Sequence, residues 1–401
     1  MVAALAAVLG VLLAFAGCSV GGDSDNEGAQ RAVVTIRTVR VGDAGNPPAA
    51  IVPFHPGVYA SCDDAPSRKA GCELVGAVSD AYEIGEFEVT VGQYVAFLNT
   101  VDPDGTNRGD LYVDSMSPTS WPKYGPIARV SGDDVAPGSH YAVAYPEWTD
   151  KPIGFANFPR AAAFANSLTN GEVLSSATST SDGFDVTVYE IRLSRDFDDG
   201  MYDLHSSTGA TRERETGFVV PSQDEWVKAA YFDPGTSTYW VYPTGRRHPP
   251  AASVLDDEGN VANAGSQPLS TYTPRGATQA PSWCPSQAGA DCNSVNPFGL
   301  SASAFQSRYR ANVSTVGQTR TRSPWGTLDQ GGNVVEWTDT ITSSPKSGDA
   351  RVWRRAHGGV ANAPAYQLWI SAIGRTPEAN TAIERVNPWQ GFRIGTIGKL
   401  G

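Results

Sequence analysis

The stretch Asp329-Gln330-Gly331-Gly332-Asn333-Val334-Val335-Glu336-Trp337 decides how the rest of this chain is interpreted. Adjacent glycines allow the backbone to fold back sharply, so a tight turn is predicted here. In the simplest interpretation, Glu336 caps backbone amides and Trp337 belongs to the core. Two further motifs follow downstream, His357-Gly358-Gly359 and Gly391-Phe392-Arg393. The three motifs together set the frame for the remaining observations.

The composition is that of a soluble acidic protein. The chain has 401 residues, of which 40% are hydrophobic, which is enough to form a sizeable core. It contains 42 glycines and 28 prolines, which indicate much turn and loop, as in irregular α+β folds. The formal net charge of −12 argues against nucleic acid as a partner.

The first residues resemble an export signal. The run from Met1 to Gly17 is apolar without a break and is too short to span a bilayer comfortably. It ends in Phe15-Ala16-Gly17-Cys18, which resembles a bacterial lipobox, and this predicts lipidation of Cys18. The alternative is an ordinary secretory signal with a chance cysteine. Residues 19–33 are small and polar and predict a flexible tether between an anchor and a folded domain.

Four further cysteines form two close pairs, Cys62 with Cys72 and Cys284 with Cys292. In an exported chain this spacing predicts two local disulfides that pin loops. Metal binding is the alternative, although neither pair has the CxxC spacing and no histidine lies beside them.

Local signals predict three helices and a few strands. Capping boxes start helices at Thr90, with Gln93 three residues on, and at Ser222, with Glu225. A further helix is predicted from about Pro159, capped by Asn157. The strands are predicted at residues 34–41, 82–89 and 186–193. No polar linker separates two domains after residue 31, so residues 34–398 are predicted to form one domain.

These motifs, in this order, resemble the formylglycine-generating, sulfatase-modifying factor family. The marks of the resemblance extend over nearly the whole chain after the tether: Glu88-Val89-Thr90, Lys151-Pro152-Ile153, Phe164-Ala165-Asn166, Glu225-Trp226 and the three glycine motifs. The resemblance implies a single C-type-lectin-like α+β domain with few helices, short strands and much irregular loop.

The resemblance also implies a structural calcium ion at the glycine turn. The matching ligands are the side chains of Asp329 and Glu336 and the backbone carbonyls of Gly332 and Val334. Calcium takes about six to eight oxygens and accepts carboxylates mixed with carbonyls, so the donor types are suitable.

The catalytic part of the family pattern is missing. Family oxidases bind copper(I) through two cysteines shortly after the Gly-Gly pair and convert a protein cysteine to formylglycine. The matching positions are Ala363 and Leu368, and no cysteine follows Cys292. Since soft thiolates are what suit copper(I), copper is not expected as a cofactor.

A different metal has little support in the sequence. Iron-dependent sulfoxide synthases have a related fold and take their histidines from a separate helical domain. The histidines of this chain are far apart in sequence and form no HxxxH or HExxH motif: His55, His140, His205, His248 and His357. We expect His357 to be a packed or surface residue.

Two functions are consistent with these observations. The first is a noncatalytic binding or scaffold lipoprotein of the bacterial cell envelope, on the periplasmic or cell-surface side, held to the membrane by its lipid alone. Its ligand would be a protein, a peptide or a carbohydrate, with Tyr366, Trp369 and Trp389 lining a groove unless they are core residues. The second is a formylglycine-generating or other metal-dependent oxidase that uses an unrecognised centre.

Overall fold

The structure is a computed structural model of the 401-residue chain. It describes residues 30–55, 57–64, 71–120, 125–132, 134–206, 210–256, 258–265, 267–272, 313–342, 352–361, 363–372, 380–382 and 388–400. The predicted signal segment, Cys18, most of the tether and the Cys284–Cys292 pair lie outside these ranges.

Each of the three α-helices in the described ranges begins at a side-chain cap. The helices are α1 (Val91–Val101), α2 (Phe158–Thr169) and α3 (Gln223–Tyr231). Thr90 and Ser222 each form a complete capping box, and the Asn157 side chain accepts from the Arg160 amide. These caps satisfy amides that the first helical turn leaves without partners, which explains why short helices begin at these residues.

The strands of the described ranges are short, apart from a few. In chain order they are β1 (Val33–Val41), β2 (Ala49–Ile51), β3 (Val58–Tyr59), β4 (Glu73–Val75), β5 (Tyr82–Gly85), β6 (Ile127–Arg129), β7 (Tyr141–Val143), β8 (Glu172–Ser181), β9 (Phe184–Arg192), β10 (Gly217–Val219), β11 (Phe232–Asp233), β12 (Thr238–Tyr239), β13 (Ala251–Ala252), β14 (Leu269–Ser270), β15 (Val335–Thr342), β16 (Trp353–His357), β17 (Asn380–Ala382), β18 (Gln390–Gly391) and β19 (Gly395–Ile397).

Two larger sheets organise the molecule. The first has six strands in the order β10-β19-β5-β1-β9-β8, and its pairs are antiparallel. The second has four strands in the order β17-β16-β15-β18, with β15 and β18 parallel. Strands distant in sequence are thus neighbours in both sheets. In the first sheet, β19 follows the last glycine motif and pairs with β5, so this motif lies next to a segment from the first hundred residues.

The largest hydrophobic cluster packs α1 and α2 against both sheets. It includes Phe97, Phe164, Trp337 and Phe392, each fully buried. The Phe164 ring lies edge-on to those of Phe97 and Phe392, with centroids 5.4 Å and 5.7 Å apart. Trp337 donates from Nε1 to the Ala156 carbonyl at 2.8 Å, so this tryptophan is a core residue.

The α+β prediction is confirmed, with few helices, short strands and much irregular loop. The three predicted helices begin at their predicted caps. The strand predicted at residues 82–89 ends earlier, at Gly85, because the chain bends at Glu86 and Phe87. The exposed strand β8 was not predicted, since its serines and threonines show no apolar alternation.

In the described ranges, none of the helices combines the length and the apolar character needed to cross a bilayer.

Candidate functional site

The three glycine motifs meet in the second sheet. Strand β15 carries Glu336 and lies between β16, which ends at His357, and β18, which leads into Arg393. Glu336 pairs with His357 on one side and with Gly391 on the other. Residues that are more than fifty positions apart in sequence thus form one site.

The turn before β15 is held by backbone contacts that require a glycine. Gly332 has a φ of +89°, its amide donates to the Gly358 carbonyl at 2.8 Å, and a Cβ atom on it would lie 2.1 Å from the Thr271 carbonyl oxygen. The next residue, Asn333, is also left-handed, and its side chain accepts from the Ser314 amide at 2.9 Å. A side chain at position 332 would therefore push the turn away from its support.

Glu336 and Arg393 form a fully buried ion pair. The guanidinium donates from Nε to Oε2 at 2.5 Å and from Nη2 to Oε1 at 2.6 Å, a bidentate geometry. Trp226 donates to Oε2 at 2.8 Å. Arg393 also donates to the carbonyls of Gly85 and Leu328. Burial alone would lower the pKa of Arg393, but Glu336 outweighs it and the pKa is raised.

Two more buried carboxyls share this environment. Asp329 accepts from the Gly317 amide at 2.5 Å and from the Thr319 hydroxyl at 2.7 Å. Glu88 accepts from the Asn333 side-chain amide at 3.1 Å, and its Oε2 has no hydrogen-bond partner. Burial, followed by the charges of Asp329 and Glu336, raises the pKa of Glu88 well above its ordinary value.

The predicted calcium ligands therefore lie at one turn. Burial, with the nearby charge of Glu336, raises the pKa of Asp329, and Val334 is buried two residues before Glu336. Both Glu336 oxygens are bonded to Arg393, so a calcium ion at this carboxylate would share it with the guanidinium. Within the described residues, no group of three or more His, Cys, Asp or Glu side chains is arranged to hold a metal ion. The calcium set stays a prediction.

His357 is packed in the core beside this site. Its ring stacks on Trp226 with centroids 5.2 Å apart, and its Nε2 is buried without a hydrogen-bond partner. Burial, with Arg355 nearby, lowers the pKa of His357 to about 3, so the imidazole is neutral at physiological pH.

The positions of the missing thiols are filled by buried apolar side chains. Ala363 is buried in the main cluster. Leu368 ends a short 3-10 turn, Ala365–Leu368, and packs with Val241 and Tyr242 in a small cluster of its own. Neither side chain offers a metal ligand.

The three predicted groove aromatics do not share one cluster. Tyr366 and Trp369 are neighbours, with ring centroids 6.0 Å apart, and Trp369 donates from Nε1 to the Tyr242 hydroxyl at 2.6 Å. Trp389 instead packs against the main hydrophobic cluster. All three are partly buried, so each contributes to packing.

Sequence reasoning missed several parts of the site. Glu88 was identified as part of a motif but not as a buried carboxyl, and Trp226 was not connected with Glu336. The Thr319 and Gly317 contacts of Asp329 have no local sequence signal at all. The only local signal for Glu88 is its position two residues before Thr90, the cap of α1.

One of the two predicted disulfides lies in the described ranges. Cys62 and Cys72 are bonded, with their Cα atoms 5.4 Å apart. The prediction for this pair is confirmed, and the bond closes a loop beside strand β4.

Comparison with known proteins identifies the family. No curated protein matches this chain. A solved structure titled "Crystal Structure of CarF" is similar over 91% of this chain and 99% of its own, with a TM-score of 0.41 and 14% identity. A family model described as the sulfatase-modifying factor enzyme 1-like domain matches residues 60–395, which is far more than half of the chain. This chain therefore belongs to the sulfatase-modifying factor enzyme 1-like family.

Proposed function

We propose that this protein is a noncatalytic binding or scaffold member of its family, exported and anchored by a lipid on Cys18 in a bacterial cell envelope. The observation that carries the noncatalytic part is the packing at the two thiol positions. Ala363 and Leu368 are both buried among apolar groups, so copper(I) has no ligands where the family oxidases hold it.

Coexpression with a cysteine-type sulfatase tests the loss of oxidase activity. We expect the sulfatase active-site cysteine to remain unmodified when its peptide is examined by mass spectrometry. A family oxidase with both cysteines serves as the positive control in the same host. Formylglycine in the presence of this chain would overturn the proposal and favour an oxidase with another centre.

A copper(I) titration examines the same point without a substrate. We expect no tight site in the purified chain, measured by competition with a chromogenic copper(I) chelator. A stoichiometric site that outcompetes the chelator would contradict the proposal, because tight copper(I) binding is a property of the catalytic members.

Export and anchoring are supported by two features. One is the apolar run that ends at Cys18, and the other is the Cys62–Cys72 disulfide, since such bonds persist in oxidising compartments. We expect the chain to incorporate radiolabelled palmitate and to fractionate with membranes, and Cys18→Ala to lose both properties. A Cys18→Ala protein that still carries the label would refute the anchor.

A structural calcium ion at Asp329, Gly332, Val334 and Glu336 belongs to the same proposal. It is supported by two further carboxyls, Glu88 and Asp329, that lie close enough to the Glu336–Arg393 pair to raise the pKa of Arg393. The buried Glu88 Oε2 without a partner adds a free oxygen near them. We expect calcium to raise the melting temperature after EGTA treatment, and Asp329→Asn to abolish the shift. Equal melting temperatures with and without calcium would exclude the ion.

The ligand is proposed to be a protein, a peptide or a carbohydrate bound by surface loops, because loops on a rigid scaffold carry recognition in many folds. The neighbouring rings of Tyr366 and Trp369 offer it an aromatic surface. Nucleic acid is not part of the proposal, since a net charge of −12 disfavours binding along an extended phosphate backbone.

A further inference from the structure

A cleft lined by positively charged side chains lies beside Trp240. Its volume is about 670 Å³, and its walls are the turn at residues 244–251 and the pair Gln267 and Pro268. Volumes of roughly 300–1,000 Å³ are typical of sites for small ligands. The cleft is therefore sized for a small molecule or for one terminal unit of a larger one.

Three consecutive cationic or titratable side chains line this cleft, Arg246, Arg247 and His248, and all three are exposed. Among the residues that the structure describes, none of the three has a carboxylate within ion-pair distance. The chain has 42 acidic residues and 30 lysines and arginines, so a run of cations left without acidic partners contrasts with the rest of its surface. Such a concentration of one sign attracts ions of the other.

One member of the cationic run, Arg247, is oriented by an aromatic ring. The Arg247 guanidinium lies over the Trp240 ring, 6.0 Å from its centroid, and Trp240 donates from Nε1 to Asp233 at 3.2 Å. This cation–π contact limits the rotamers of Arg247 while leaving its donors available. Less conformational entropy is then lost when an anion binds.

The walls of the cleft are fixed to each other and to the core. The turn closes through the Tyr242 amide, which donates to the Arg246 carbonyl at 3.0 Å. The Ala251 amide donates to the Pro268 carbonyl at 2.9 Å, which joins the two walls through β13 and β14. Tyr242 in turn accepts from Trp369 at 2.6 Å and packs in the small cluster with Leu368, which ties the turn to the core.

We propose that this cleft binds a small organic polyanion, a ligand with two or more carboxylate or phosphate groups, through Arg246 and Arg247. The two guanidiniums match oxyanions because each presents paired donors in one plane. The Trp240 ring and the prolines of the wall contact the apolar part of the ligand. This inference rests on the proposed binding function and adds a small anionic ligand to the protein, peptide or carbohydrate proposed above.

Isothermal titration calorimetry on the full chain tests the proposal. The probes are tricarballylate, which has three carboxylates, and fructose 1,6-bisphosphate, which has two phosphates and no carboxylate; comparing them identifies the preferred oxyanion. The trimethyl ester of tricarballylate is the neutral control. We expect at least one anion to bind, the ester not to bind, and binding to weaken as salt is raised, because the salt screens exposed charges.

Matched variants locate the site. Arg246→Gln with Arg247→Gln is expected to weaken binding at least tenfold. Arg40→Gln with Arg320→Gln removes the same charge from surfaces outside the cleft and is expected to leave the affinity unchanged. Equal losses in both double variants would overturn the proposal, as would binding of hexaglutamate without either small anion, which would indicate an acidic peptide instead. Neither result depends on the formylglycine assay, so this inference can fail while the noncatalytic proposal stands.

Discussion

The glycine-turn site consists of residues 329–337 with His357 and Arg393. It lies close to the segment from Val360 to Trp369, but the two differ in how much of the family pattern they keep. The first has a bidentate buried ion pair, Glu336 with Arg393, fixed by Trp226 and by two backbone carbonyls. The second has apolar side chains at both thiol positions. The contrast teaches that the buried ion pair does not depend on the family's catalytic ligands, since this chain keeps the pair and lacks both cysteines.

The largest expected effect comes from breaking the ion pair. Glu336→Ala leaves Arg393 buried without its carboxylate, which we expect to lower the free energy of unfolding by about 3–5 kcal/mol. Urea denaturation followed by tryptophan fluorescence measures the change. The control is Glu73→Ala, whose partner Arg355 lies 3.3 Å away in a partly exposed pair, with an expected loss of about 0–1 kcal/mol. Equal losses would mean that the glycine-turn network does not stabilise the fold.

The next largest effect is expected from truncating Leu368, which occupies one of the two positions that match the family's cysteines. Leu368 is fully buried against Val241 and Tyr242, so Leu368→Ala should leave a cavity and cost about 2–5 kcal/mol. The matched control is Leu174→Ala on the exposed strand β8, where the expected change is within about 0.5 kcal/mol. Urea denaturation of both variants measures the change in the free energy of unfolding. If Leu368→Ala also cost less than about 1 kcal/mol, the segment would be loosely packed and open to a ligand.

His357 gives the glycine-turn site a dependence on pH. The folded pKa is lowered to about 3 by burial, whereas the unfolded chain binds a proton near pH 6.5. Stability from this residue is therefore complete above pH 6.5 and falls as the pH drops below it, by about 1.4 kcal/mol per unit. Between pH 7 and pH 5 we expect a loss of about 2 kcal/mol that His357→Gln removes.

The control for that experiment is Leu174→Ala on the exposed strand β8, which changes no titratable group. It should leave the pH slope of the unfolding free energy as it is in the parent chain. An unchanged slope in His357→Gln would show that the buried ring is not held neutral.

The smallest expected effect has the opposite sign. Glu88 has a raised pKa, so it lowers stability once the pH exceeds the value at which the unfolded carboxyl ionises. Glu88→Gln keeps an oxygen to accept from Asn333 and removes the charge, so we expect a gain of about 1 kcal/mol at pH 8 in EGTA. Thermal denaturation at pH 5 and pH 8 measures it, with the exposed Glu190→Gln as the control. A loss of stability at pH 8 would mean that the ionised carboxylate is needed there.

The sequence predicted the elements that depend on neighbouring residues. Thr90 with Gln93 and Ser222 with Glu225 are only three positions apart, so their capping boxes can be recognised locally and they mark α1 and α3 correctly. The family motifs added the fold class, which the structure confirms.

Contacts between distant segments could not be predicted in the same way. The parallel pairing of β15 with β18 places Arg393 on Glu336, 57 positions away, and no periodicity encodes that contact. The cationic cleft is similar: the run Arg246-Arg247-His248 is visible in the sequence, but its opposite wall at Pro268 comes from the pairing of β13 with β14.

The position of strand β19 affects how the chain can be made. Gly395–Ile397 is the last strand described, yet it lies between β10 and β5 inside the six-stranded sheet. During synthesis from the N-terminus, that sheet stays incomplete until residue 397 has left the ribosome. Proteins dominated by such distant pairings fold slowly. A sheet that closes this late makes C-terminal truncation a sensitive test of folding during translation.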